Sequence, residues 1–193
     1  MIDFMKVTTR SKKQGVTEIF PKFILKKSSD LMIRGGDFYA VWDEEFGLWS
    51  TEEQRLIEIV DKELRVAYDE QLKTATDHLT VAYMWDSDSG SIDSWHRYCQ
   101  KQMRDNYHPL DEKLIFSNYK TKKKDYASKR LEYPLEKGDI SGYETLMSTL
   151  YSPEERQKIE WAIGSIIEGD SKHIQKFLVL YGSAGTGKST VLN

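Results

Sequence analysis

The feature that most restricts the fold lies near the end of the chain. Gly182-Ser183-Ala184-Gly185-Thr186-Gly187-Lys188-Ser189 satisfies the spacing G-x-x-x-x-G-K-[ST]. Glycines at these positions let the main chain wrap tightly and turn successive N–H groups inward as an anion nest. Such a loop needs a strand to deliver it and a helix to leave it, the helix adding its positive end to the anion site. Both are readable. "KFLVLY", residues 176–181, is a short continuous apolar run of the kind buried on both faces of a parallel sheet, and "STVLN" behind the loop is compatible with a helix. Lys188 reaches the β- and γ-phosphates of a nucleoside triphosphate as a point charge, and the Ser189 hydroxyl serves Mg²⁺. ATP and Mg²⁺ are the cofactors implied.

The loop is one part of a nucleotidase. Hydrolysis also needs an acidic residue on a neighbouring strand, a group that orients water and often an arginine from another subunit. Those parts normally follow the loop, and this sequence runs only to Asn193. The expectation is therefore the N-terminal portion of a larger ATPase, inactive in hydrolysis by itself.

Composition sets outer limits. With 193 residues, 39% hydrophobic and 31% charged, there is material for one ordinary domain or two small ones with a real core. No apolar run approaches a membrane span. Cys99 is the only cysteine, so no disulfide forms within the chain, and a reducing compartment is the simplest setting. The net charge of −3 hides an uneven distribution. Residues 1–27 carry Lys6, Arg10, Lys12, Lys13, Lys22, Lys26 and Lys27 against Asp3 and Glu18. "YKTKKKDYASKR", residues 119–130, is basic again, and Lys120, Lys122, Lys123, Lys124, Lys129 and Arg130 are candidates for contact with single-stranded DNA.

The fold class expected is α+β: a mainly helical accessory domain with a small antiparallel sheet, then the first strand and phosphate loop of a truncated α/β core. "DLMIR" and "FYAVW" flank Gly35-Gly36-Asp37, a turn signal, and Leu48-Trp49 follows a second break, giving two or three antiparallel strands. Trp42 and Trp49 should pack on whatever covers this sheet. Ser50 and Glu53 have capping-box spacing. Leu56, Ile57, Val60, Leu64, Ala67, Tyr68 and Leu72 then fall on one helical face. "HLTVAYMW" has strand composition, "DSDSGS" is a loop, "IDSWHRYCQKQMRDN" is a second helix, and "KLIFSN" is a short strand. Residues 118–139 have the composition of a connector. Ser152, Pro153 and Glu155 cap a further helix whose buried stripe is Ile159, Ala162, Ile163, Ile166 and Ile167, with Gly169 ending it. The domains expected are a basic segment (1–27), the accessory domain (28–139), a helical lead-in (140–175) and the first core strand with the loop (176–193).

The order of motifs resembles the region ahead of and into the helicase core of phage and plasmid primase-helicases of the poxvirus type, superfamily-3 helicases of the AAA+ class. The resemblance spans residues 28–193 and rests on three stretches: "GGDFYAVWDEEFGLWSTEE", "LIFSNYKTKKKDYASKRLEYPLEKGD", and above all "ERQKIEWAIGSIIEGDSKHIQKFLVLYGSAGTGKST". Asn118 is followed by Tyr119 where that family commonly has glycine, and Thr186 stands where it often has Asn. The resemblance implies a ring, usually hexameric, that moves on single-stranded DNA with ATP and Mg²⁺ at replication forks in the host cytoplasm. Gly182, Ser183, Ala184, Gly185, Thr186 and Gly187 would form the phosphate cradle, Lys188 and Ser189 the catalytic pair, with Ser189 on Mg²⁺, and Thr190 a contact to the α-phosphate. No primase signature is present.

Other candidates are weaker. His96 and Cys99 have a metal-capable spacing but no second pair, so a buried thiol is the better reading for Cys99. Asp86–Asp93 lacks the glutamate that closes a calcium loop. Two alternatives to the helicase stand beside it: a non-enzymatic DNA-binding or ring-assembly module, and an unrelated P-loop enzyme.

Overall fold

The segment set apart above by charge holds two strands. Met5–Lys12 (β1) and Val16–Phe23 (β2) form an antiparallel hairpin, with Met5 opposite Phe23 and Lys12 opposite Val16. Its turn holds Gln14 and Gly15 at φ 66° and 67°. His78–Val81 (β6) adds to β2 in parallel, giving the order β1-β2-β6. Odd-numbered Met5, Val7, Ile19 and Phe23 face the core, and the even-numbered charged residues face away.

The computed structural model describes residues 2–24, 27–34, 38–86, 90–101 and 107–192. The expected Gly35–Asp37 turn, the middle of the 86–91 loop, the last residues of the expected second helix (102–106) and Asn193 lie outside the described residues. The chain is an α+β protein of two units. The first joins Met1–Leu110 to Thr121–Lys129, and the second joins Asp111–Lys120 to Arg130–Asn193.

In the first unit Leu31–Arg34 (β3), Phe38–Asp43 (β4) and Leu48–Ser50 (β5) make the expected antiparallel sheet. Its two faces meet different neighbours. Leu31, Ile33 and Val41 join the main core, while Met32, Ala40 and Trp49 join a smaller cluster with Trp42, Leu110 and Tyr126. The middle of the expected connector belongs to this cluster. The Trp49 indole N–H donates to the Lys123 carbonyl at 2.8 Å, and the Trp49 backbone N–H donates to the Ala127 carbonyl at 2.8 Å. With two three-stranded sheets and two long helices, this unit is as much sheet as helix, not mainly helical.

The helices are Glu53–Leu72 (α1) and Ser91–Lys101 (α2). Leu56, Val60 and Leu64 are buried, but Leu72 at the far end is exposed. The expected Ser50–Glu53 capping box does not form. Ser50 is held in the sheet opposite Val41, so α1 starts later, behind Glu52, with no side-chain cap. Trp95 of α2 is fully buried among Phe4, Phe23, Tyr39 and Tyr98, with ring centroids 5.1 to 5.7 Å away. Asp43 ties sheet to helix. Burial raises its carboxyl pKa, but the Arg55 guanidinium and the N–H groups of Phe46 and Glu45 outweigh that and hold it below the ordinary range. Asp61 goes the other way, because burial there outweighs the N–H of Met84, 2.9 Å from Oδ1.

The second unit is looser. Leu131 N–H donates to the Ile115 carbonyl (2.7 Å) and Ser117 N–H to the Tyr133 carbonyl (3.1 Å), but these isolated bonds do not make "KLIFSN" a strand. Ser141–Leu150 (α3) and Pro153–Glu168 (α4) follow, joined by Arg156, whose guanidinium forks onto Glu144 at 2.5 and 2.8 Å. The α4 capping box forms as expected: Ser152 Oγ accepts from Glu155 N–H, and the Glu155 carboxylate accepts from Ser152 N–H at 2.8 Å. Gly169 ends α4 at φ 80°, where a Cβ would lie 2.4 Å from the Glu112 carbonyl oxygen. Ser171–Ile174 (α5) is one further turn. The expected buried stripe of α4 is not buried. Ile159 is covered, Ala162 and Ile167 are half-buried, and Ile163, Ile166 and neighbouring Trp161 are exposed.

Candidate nucleotide site

The site is built by the second unit. The segment 176–181 that leads to it is not a strand. A strand exists by pairing, and both sheets are made of residues 5–81, so this run has no ladder partner among the described residues. Its apolar side chains stay in water, with Phe177 89% and Tyr181 99% exposed. The flank that sequence alone reads as a buried core strand is thus an extended, open segment.

The loop itself is folded. Ala184 and Gly185 form a turn, and Lys188–Leu192 (α6) begins at the lysine, with Thr190 and Val191 N–H groups donating to the Gly187 carbonyl at 3.1 and 3.3 Å. Gly187 has φ 75°, and a Cβ there would come within 2.5 Å of the Leu150 Cδ1. The left-handed backbone favours glycine here, and a larger residue would also have to displace the tip of the Leu150 side chain. A Cβ at Gly182 would meet Thr186 Oγ1 at 3.3 Å and Lys188 Nζ at 3.8 Å, so a side chain there would fill the cradle.

Lys188 closes the loop on itself. Its ammonium donates to the carbonyls of Gly182 (3.0 Å) and Ser183 (2.6 Å) and to Thr186 Oγ1 (2.9 Å). Thr186 in turn donates to the Ser183 carbonyl at 2.9 Å. An ammonium has three donors, and these contacts use all of them on neutral oxygens. Exchange for phosphate oxygens replaces neutral acceptors with charged ones, which form shorter and stronger bonds. Ser189 and Thr190 are exposed beside it. The residues present fit a phosphate chain: a cradle kept open by glycine, one cation at its centre and a hydroxyl next to it.

A cleft of about 450 Å³ adjoins the loop, lined by residues that sequence reasoning left out, among them Tyr151, Glu155 and Lys158. The Tyr151 hydroxyl is buried there and makes no hydrogen bond. Lys158 is paired with Glu154 at 2.8 Å. The only signal for these residues was their nearness to the Ser152 cap, which orients the start of α4. Among the described residues no group of three His, Cys, Asp or Glu side chains is placed to hold a metal ion.

The basic run at 119–130 is divided between the two units. Lys122, Lys123, Lys124 and Lys129 belong to the first unit, and Lys120 and Arg130 to the second. Lys123 is committed to the Asp30 carboxylate. Lys120, Lys122, Lys124 and Lys129 are exposed, and Arg130 is half-buried. His96 pairs with Glu53 at 2.8 Å, and burial pushes the Cys99 thiol up to about 12.

No family model matches this chain, and neither a curated protein nor a solved structure is significantly similar to it. Among the described residues no helix is long and apolar enough to cross a membrane. What the chain does is therefore argued from its loop.

Proposed function

We propose that the second unit binds the phosphate chain of Mg²⁺-ATP and that the chain belongs to an ATP-dependent DNA helicase acting on single-stranded DNA. One observation carries the reading: the Gly182–Ser189 loop wraps around the Lys188 ammonium, with Gly182 and Gly187 in backbone conformations that a side chain would strain. Bound Mg²⁺-ATP would supply the transferable phosphoryl group. Lys188 would leave its carbonyl partners for the β- and γ-phosphate oxygens, Ser189 would turn its hydroxyl to the metal, and Thr190 would touch the α-phosphate. The main chain from Gly182 to Gly187 would orient the phosphates. Trp161, Ile166 and Phe177 are exposed apolar side chains of the kind a protein neighbour covers, and in a ring that neighbour is a second copy of the chain.

Titration of the chain with a fluorescent ATP analogue and Mg²⁺ tests the loop. Saturable binding that falls about 10-fold or more in Lys188→Ala is expected, since a bond to a charged group contributes about 1.5–3 kcal/mol. Binding that Lys188→Ala leaves unchanged sinks the assignment. The alternative of a DNA-binding module without enzymatic activity draws on the first unit, which has a core of its own.

A further inference from the structure

A groove runs along the open end of β2. Ile19 pairs with Val81, and Phe20–Phe23 continue with β1 on one side and no strand on the other among the described residues. Ala82 N–H donates to the Ile19 carbonyl at 2.8 Å, so the odd-numbered residues of β2 direct their main-chain groups toward this edge. Pro21 is the next of them and has no N–H to offer. A strand cannot add here through a full ladder. Whatever lies in the groove is held by side chains.

The opposite wall is one face of α2, with Ser94, Arg97 and Lys101 at helical spacing, and the space enclosed is about 490 Å³. Arg10 and Lys22 from the sheet and Arg97 and Lys101 from the helix border it, and of these Arg10 is held by the Glu18 carboxylate at 2.6 Å. Lys22 and Lys101 have no carboxylate partner among the described residues. Lys22 also lies directly opposite Lys6 on the outer face of the hairpin. Like charges so placed oppose folding unless an anion comes between them. Half-buried Phe20 lines the same groove, with the Arg10 guanidinium carbon 5.1 Å from its ring centroid.

We propose that this groove is a binding site for single-stranded nucleic acid, its cations taking successive phosphates and Phe20 stacking on a base. An aromatic side chain in the same groove as Lys22, Arg97 and Lys101 is what distinguishes a strand from a simple anion: every base offers a π-face, and stacking and charge together hold single strands without reading their sequence. The proposal rests on the nucleic-acid half of the function given above and is independent of the phosphate loop.

The test is fluorescence anisotropy of a labelled oligothymidylate titrated with the whole chain, without nucleotide, over a range of salt. Three phosphate contacts, at Lys22, Arg97 and Lys101, predict a slope of log K on log salt of about −2. Lys22→Ala combined with Lys101→Ala should weaken binding about tenfold at physiological salt and reduce the slope to about −0.7. Phe20→Leu should weaken binding about fivefold or more with the slope unchanged. Lys188→Ala should bind the strand as the unaltered chain does, which separates failure of the groove from failure of the loop. Absence of oligothymidylate binding overturns the proposal. So do an unchanged affinity and slope in a folded double-lysine variant, with folding checked by circular dichroism. Lysine-dependent binding to phosphatidylserine vesicles in place of oligothymidylate overturns it in favour of a membrane surface.

Discussion

Trp95 and Trp161 stand for the two units. Trp95 is fully buried among four aromatic side chains, while Trp161, on a helix of similar apolar content, is 54% exposed. The first unit closes its main core with residues drawn from five strands and two helices. The second leaves much of its apolar surface uncovered and is held by caps, an arginine fork and one sterically required glycine. The difference teaches where each kind of sequence signal is reliable. Local polar devices act within a few residues and work in either unit. An apolar stripe says only that something should cover it, not that the cover is at hand.

The comparison can be broken most directly by truncation. Trp95→Ala should cost about 3–5 kcal/mol in denaturant unfolding, and Trp161→Ala should stay within about 0.5 kcal/mol. Comparable losses at both sites would mean that the second unit hides its tryptophan in solution. Gly169→Ala comes next. With φ at 80° and the Glu112 carbonyl in the way, it should destabilise the second unit by more than about 1 kcal/mol, read from amide exchange of α4, while the exchange of α1 stays unchanged. Ser152→Ala should cost about 1 kcal/mol, but Ser50→Ala only a few tenths, because Ser50 sits in a strand and its hydroxyl accepts the N–H of Glu52, ahead of α1, at 3.2 Å, not a free N–H of the helix. Equal effects would restore the capping box at Ser50.

The smallest effects are electrostatic and lie within the first unit. The Asp43 pKa is depressed, so its contribution to stability is full above its unfolded value near 3.8 and is lost as pH falls through the lower folded value. The Asp61 pKa is raised by burial, so its charge opposes folding at neutral pH, and stability recovers as pH falls through the raised folded value. Asp61→Asn keeps an acceptor for Met84 N–H. It should gain a few tenths of a kcal/mol at pH 7 and nothing near pH 3, measured as unfolding midpoints against pH. A loss at pH 7 would mean that the Asp61 charge is needed.

Much of the architecture was legible in short stretches. The β3–β5 meander, the helices behind it, the Ser152 cap and the Gly169 stop each depend on neighbours in sequence. The β1–β2 hairpin was obscured by its charge, though Gln14-Gly15 between two alternating runs was a usable turn signal. The parallel pairing of β2 with β6 joins residues about sixty apart and leaves no local trace. Two apolar runs of the same kind had opposite fates. "LMI" in β3 is covered on both faces, and "FLVLY" at 177–181 is covered on neither, since a continuous run carries no information about what will pack on it. At the site, the glycine spacing identified the loop and its lysine, but not that Lys188 would close upon its own carbonyls. Likewise Lys123 reads as one cation in a basic run, while its partner, Asp30, is 93 residues away.

The return of residues 121–129 to the first unit also settles how the protein can be taken apart. The chain passes between the units after Leu110, after Lys120 and after Lys129. A protease that nicks one crossing leaves each unit still tied to the other by the remaining two, and no single stretch of the gene encodes either unit whole without part of the other. A fragment beginning at Arg130 would carry the loop without the Glu112 segment against which α4 ends, and one ending at Leu110 would leave both carbonyls that Trp49 bonds behind. Dissection of the two proposed functions therefore has to be done by point substitution in the intact chain, not by cutting it.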